Sequence, residues 1–170
     1  MASHNAVDIC RDVMASVAAG IAVVTLIDDD GGYHGMTISS LTPVSVDPPS
    51  VLMCIGGSAS SLPYLVKGRR FCVSILAADQ APQSMGFAFG ADDPFTTFPW
   101  HPAADGTPIL DETAAHILCE VERVTEHNGT AVVLAAVVDG AVHKDEALVY
   151  WKTQYFGGLV PVSPGVTGRW

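Results

Sequence analysis

Hydroxyl side chains crowd into one stretch of this 170-residue chain, residues 34–61, HGMTISSLTPVSVDPPSVLMCIGGSASS. Thr37, Ser39 and Ser40 fall together where a surface meant only to pack would use Val or Ile, and small polar residues leave the backbone open to a ligand. Asp47-Pro48-Pro49 predicts a rigid extended corner, because each proline fixes its own φ and pushes its predecessor out of the helical region. That corner aims a strand over 50–55 into Gly56-Gly57-Ser58-Ala59-Ser60-Ser61, a loop of hydroxyls and free amides. A helix is expected to start at Ser60 or Ser61. First-turn N–H groups lack partners and the helix dipole favours negative charge, so such a start can hold an anion. The same residues also fit a polar hairpin and an ordinary serine-capped helix.

No other group of residues reads as a reaction centre. His34 and His116 fall in predicted strands, His101 and His127 in loops, and His4 and His143 near polar ends, so no nucleophilic triad emerges. No His and carboxylate spacing of the metalloprotease kind occurs. Asp28-Asp29-Asp30 reads as a solvated turn, since nothing nearby offers the remaining oxygen ligands of a cation, and no metal is expected. Cys10, Cys54, Cys72 and Cys119 are far apart in apolar surroundings and are expected to be buried thiols. Arg69-Arg70, the one adjacent basic pair, fits a surface pair or a phosphate partner. Any reactive chemistry is then expected to belong to a bound organic cofactor.

Around these residues the pattern predicts short strands and few helices. Ile9, Cys10, Val13, Met14 and Val17 recur at helical spacing over 6–19, giving an amphipathic helix stopped by Gly20. A strand over 21–27 is too apolar to be exposed on either face. The aspartate turn makes a hairpin with a strand over 33–41. Short helices are predicted over 62–67 and 80–88, the latter delivering Phe87 and Phe89, which on pattern alone reads Phe87 as core. Residues 71–76 alternate as a strand. Residues 90–113 are the longest irregular region. Strands over 115–124 and 130–138 flank a turn at 126–129, and a last strand covers 148–151. The sum is a mainly β domain with short helices, arranged as a closed or nearly closed barrel rather than a doubly wound sheet.

One domain accounts for the length, with its core over about 6–156 and a tail over 157–170. A net charge of −10 with eight Lys and Arg argues against nucleic acid. It does not exclude a phosphate-bearing ligand, which loop amides can hold without a basic patch. With 49% hydrophobic and 15% charged residues, part of the surface is expected to be hidden in a homodimer. No basic segment precedes an apolar run at the start and no uncharged apolar stretch reaches about 18 residues, so a cytoplasmic protein without membrane contact is expected.

The order and spacing of several segments resemble the flavin reductase-like family, the FMN-binding split β-barrels that serve two-component monooxygenases. The segments are Gly35-Met36-Thr37-Ile38-Ser39-Ser40, Val44-Ser45-Val46-Asp47-Pro48-Pro49 and the serine loop. Outside this stretch they are Ala19 to Thr25, Phe71 to Leu76 with Gln80, Phe87-Ala88, Gly106 to Leu110 and Cys119-Glu120-Val121. The resemblance implies a homodimeric split barrel that binds FMN or FAD, uses NADH or NADPH as co-substrate, and passes reduced flavin to a partner monooxygenase. It implies Thr37, Ile38, Ser39 and Ser40 against the isoalloxazine, with Cys54, Ile55 and Gly56 flanking it and Phe87 close by. Ser45 joins the cofactor-binding set, and Ser58, Ser60 and Ser61 take the phosphate. One departure stands out: the family's Gly-Asp-His turn beside the nicotinamide aligns with Asn128-Gly129-Thr130. Thr130 can hydrogen-bond a carboxamide but has no imidazole, and His127 is the nearby histidine. A flavin-binding barrel without efficient nicotinamide use is the alternative reading.

Overall fold

Asn5 opens the first element of the structure, a computed structural model that describes residues 5–90 and 92–159. Its carboxamide oxygen accepts from Asp8 N–H (3.0 Å) and caps α1, Ala6–Met14. The helix ends five residues before the predicted end, and Ala19–Gly20 instead forms a two-residue strand, β1. No residue of α1 is buried, so its apolar stripe stands in solvent. His4 and the tail beyond residue 159 lie outside the described residues.

Seven strands make one antiparallel sheet. In chain order they are β2 (Ala22–Ile27), β3 (Tyr33–Ile38), β4 (Thr42–Val46), β5 (Pro49–Gly56), β6 (Arg70–Ile75), β9 (Ala115–His127) and β10 (Thr130–Val142). They lie in the order β3-β2-β6-β9-β10-β5-β4. The expected mainly β architecture is present, but the backbone ladder among the described residues does not close into a full barrel. What bridges the gap is a side chain. Just past β3, Ser40 Oγ donates to Cys54 C=O (2.8 Å) and accepts from Cys54 N–H (3.0 Å), so a serine occupies the position of a missing strand neighbour.

Burial on both faces explains the near-continuous apolar runs. Val24 and Leu26 of β2 pack with Met36, Ile38, Met53, Ile55, Phe71, Val73, Val121 and Val133 inside the curved sheet. Ile21 and Val23 point the other way, to Leu76, Phe87, Leu110 and Leu148 under α2 (Ala81–Phe89). Each fully buried side chain of this size contributes about 1.5–3 kcal/mol. Asp47-Pro48 is a cis peptide at the β4–β5 corner, and Pro49 already belongs to β5.

Several expected elements change character. The helix predicted over 62–67 is one 3₁₀ turn, Leu62–Tyr64. The region predicted to be irregular holds α3 (Pro94–Thr97), capped by Asp93, and a small hairpin of β7 (Trp100–Pro102) and β8 (Pro108–Leu110). A further hairpin, β11 (Val149–Trp151) with β12 (Gln154–Phe156), turns through Lys152 and Thr153, both at positive φ. Of the cysteines, Cys72 and Cys119 are buried as expected, whereas Cys10 and Cys54 are exposed; all four are free. Cys10 lies on the solvent-facing α1, and Cys54 alternates with the inward residues of β5.

Candidate functional site

The seam between β3 and β5 opens into a cleft of about 570 Å³. Its walls are residues 35–40 from β3, residues 54–56 with Ser58, Ala59 and Ser60 from β5 and the following loop, and residues 87–89 from α2. None of these side chains is charged.

The register of β2 shows why β3 offers its backbone here. Leu76 N–H donates to Ile21 C=O (2.9 Å), so odd-numbered residues of this segment turn their peptide groups toward β6 and even-numbered ones toward β3. Ala22, Val24 and Leu26 pair with Ile38, Met36 and His34. Gly35 and Thr37 are therefore left with peptide groups facing the open edge, consistent with Ser61 Oγ donating to Gly35 C=O (3.2 Å). A strand edge beside a cleft is a row of donors and acceptors waiting for a partner. Gly35 has a packing role as well: a Cβ there would stand 2.5 Å from the Phe87 ring, so only glycine lets α2 lie on this strand.

Of the hydroxyls singled out in the sequence, three are committed within the protein. Thr37 Oγ1 donates to Ser84 C=O (2.7 Å), Ser40 bonds Cys54, and Ser61 is buried with its hydroxyl on Gly35. Three more, Ser39, Ser58 and Ser60, are exposed on the cleft wall. Ile38, Cys54, Ile55, Gly56 and Phe87 line the same cleft, with Phe87 also packed in the core beneath it. Ser45 does not: it sits on β4 opposite Ser50. Because residues 62–64 form only a 3₁₀ turn, no helix start of useful length faces the loop.

Thr130 and His127 flank a two-residue turn whose central Asn128 and Gly129 have φ of 50° and 75°, the geometry of a type I′ hairpin. Thr130 lies across the ladder from Gly56, which does line the cleft, and His127 is one strand farther out with its ring against Asn128 Nδ2 (3.2 Å). Neither is part of the cleft wall.

The sequence reading named Phe89 but gave it no place in the site, where it stands 81% exposed at the cleft mouth, and it gave none to the aromatic end of the last described hairpin. Tyr150, Thr153 and Tyr155 line an adjoining cavity of about 450 Å³ that shares Thr37, Ile38, Ser39 and Phe89 with the cleft. Tyr155 hydroxyl bonds Ser84 Oγ (2.8 Å), joining the hairpin to α2. The available signal was the two-residue spacing of Phe87 and Phe89, which a helix cannot bury on one face.

Residues 14–158 match the family model described as flavin reductase like domain. The chain belongs to this family. It is similar to a flavin reductase (NADH) of Kitasatospora aureofaciens, 31% identical over 152 residues that cover 87% of this chain and 80% of the relative. It is also 32% identical over 162 residues to an actinorhodin polyketide dimerase of Streptomyces coelicolor, covering 94% of this chain and 92% of that one. Among solved structures, the styrene monooxygenase flavin reductase of Pseudomonas putida S12 superimposes with a TM-score of 0.81 at 30% identity, over 89% of this chain and 98% of that one.

Proposed function

We propose that the chain is an NAD(P)H-dependent flavin reductase that binds FMN or FAD in the β3–β5 cleft and supplies reduced flavin to a partner monooxygenase. The observation that carries this reading is an uncharged cleft, in a flavin reductase family chain, edged by the outward-facing peptide groups of Gly35 and Thr37 and by the exposed hydroxyls of Ser39, Ser58 and Ser60. These groups fit a flavin: apolar Ile38, Ile55 and Phe87 suit a flat ring, and neutral donors suit its polar edge and phosphate. When bound, the flavin supplies a centre that accepts hydride from NADH or NADPH. The chain orients the ring, keeps water from one face through Phe87 and the β5 wall, and aims Thr37 N–H at the rim of the cleft, where a donor stabilises charge arriving on reduction. Phe89 and the adjoining cavity with Tyr150 and Tyr155 offer an aromatic surface on which a nicotinamide can stack.

Thr130 and His127 are assigned to the far rim of the cleft, Thr130 as the nearer contact for a carboxamide. The protein works as a homodimer, which covers the exposed apolar stripe of α1. Light scattering giving a mass near 17.8 kDa at micromolar concentration would refute the dimer. No helix among the described residues is long and apolar enough to cross a membrane.

The test is anaerobic stopped-flow reduction of added FMN and FAD by NADH and NADPH. Rapid bleaching of the flavin band is expected, slowed by His127→Ala only if that ring reaches the nicotinamide. A second reading, a flavin-binding barrel with little nicotinamide use, draws on the Asn128-Gly129-Thr130 turn and on the likeness to a protein named as a polyketide dimerase. Tight yellow colour without NADH or NADPH consumption would select it. Absence of flavin binding would remove both.

A further inference from the structure

Arg69-Arg70, the adjacent basic pair, takes no part in the cleft. Both residues line a separate cavity of about 430 Å³ where β2 ends and β6 begins, and it shares no lining residue with the cleft. The chain has eight Lys and Arg and a net charge of −10, yet three of those cations, Lys67, Arg69 and Arg70, line this one cavity against a single carboxylate, Asp105. Arg69 is pinned, its side chain 18% exposed and donating to Ile27 C=O (3.2 Å) and Asp29 Oδ1 (2.8 Å). Arg70 pairs through Nε with Glu120 Oε2 (2.9 Å), which leaves the two terminal nitrogens of its fork. Lys67 has no carboxylate partner among the described residues. Thr107 is 1% exposed, and its Oγ1 has no hydrogen-bond partner among the described residues, whereas Asp105 Oδ1 is taken by Thr107 N–H (3.0 Å).

We propose that this cavity is a second binding site, for a phosphate group carried as inorganic phosphate or as a phosphomonoester, and that it is filled independently of the cleft. Two forked guanidiniums and an ammonium suit an anion with several oxygens. The guanidiniums are already held in place, so a ligand does not bear the cost of ordering them. Their pairs with Asp29 and Glu120, whose side chains are 88% and 44% exposed, are of the kind that contributes little, and they leave the donors able to serve a stronger acceptor. A buried hydroxyl without a partner calls for an explanation, and a phosphate oxygen supplies the missing acceptor for Thr107. No aromatic side chain lines the cavity, which therefore lacks the stacking wall that a flat ring needs. Its volume exceeds that of the ion alone, and Ile27, Val66 and the second oxygen of Asp105 can receive a small hydroxyl-bearing group attached to it.

Calorimetric titration of the full chain at constant ionic strength, with inorganic phosphate and with ribose 5-phosphate, tests this in the absence and presence of saturating FMN. Saturable binding is expected, unchanged when FMN is present. Lys67→Gln and Arg70→Gln should each weaken it about tenfold, the loss of one or two charge-assisted hydrogen bonds. Thr107→Val should weaken it too, while the melting temperature holds or rises, because the change removes a buried hydroxyl that has no partner. Tighter binding of ribose 5-phosphate identifies an esterified ligand, and equal affinity identifies the ion itself. Absence of saturable binding by either probe would overturn the proposal, as would unchanged affinity in both Lys67→Gln and Arg70→Gln. Loss of phosphate binding when FMN is added would place the anion in the cleft, overturning this site while leaving the flavin reductase reading standing. A fall in melting temperature for Thr107→Val with phosphate binding intact would show the hydroxyl to be structural and remove it from the site.

Discussion

Two sets of hydroxyls, drawn from the same residues 34–61, have opposite fates. Thr37, Ser40 and Ser61 are spent on hydrogen bonds to backbone groups of the protein, whereas Ser39, Ser58 and Ser60 are exposed on the cleft wall. The difference is one of position. A hydroxyl beside an unpaired strand edge is drawn into satisfying it, because an unmet carbonyl or amide costs about as much as a lost hydrogen bond. A hydroxyl on a loop crest has no such neighbour and remains available. In the first set Ser40 ties the end of β3 to β5, Ser61 ties the following loop to β3, and Thr37 ties β3 to α2; the second can recognise what enters the cleft.

The sharpest test of this division is Ser58→Ala with Ser60→Ala. Flavin affinity should fall by about 2–3 kcal/mol while the melting temperature stays put, as expected when hydrogen bonds to a charged phosphate are lost from exposed positions; calorimetry and thermal denaturation read both. A fall in stability with intact affinity would reverse the assignment. Ser40→Ala should do the converse, costing about 1–2 kcal/mol in urea unfolding because Cys54 N–H and C=O both lose their partner. Ser61→Ala should cost about 1 kcal/mol, with flavin affinity changed less than twofold. The smallest effect concerns a side chain committed elsewhere: His116 Nδ1 bonds His143 Nε2 (2.8 Å) at the start of β9. Burial, with the charges of His143 and His101, holds His116 below its usual 6.5. A depressed folded-state pKa means stability present above pH 6.5 and lost as pH falls through the folded value. His116→Gln should therefore flatten the decline in melting temperature between pH 7 and 5.

Much of this arrangement was legible in the sequence. The apolar run of β2 announced a strand buried on both faces, β6 and β10 were legible as strands, and the turn before Thr130 was visible in Asn128-Gly129. The cleft residues were legible as a set, but which hydroxyls were free was not, because that depends on which side of β3 stays unpaired, a property of the whole sheet order. The helix expected after Ser61 stopped for a local reason: Leu65 already leaves helical geometry at ψ 67°, and the chain turns at Gly68 with φ 85°. The small hairpin after Pro99 and strand β12 escaped because three residues carry too little periodicity to read. Cys54 was taken as buried because its neighbours are apolar, although its parity in β5 points it outward.

The placement of the thiols gives the molecule a built-in set of chemical reporters. Burial pushes Cys72 and Cys119 up to about 12, so neither forms appreciable thiolate at neutral pH. Cys10 on α1 and Cys54 in the cleft are exposed. An alkylating reagent should therefore modify two sites quickly and two slowly, and peptide mass mapping distinguishes them. Loss of labelling at Cys54 alone records cleft occupancy, while loss at Cys10 alone records a subunit seated on the helix, so one footprint reads ligand and assembly separately.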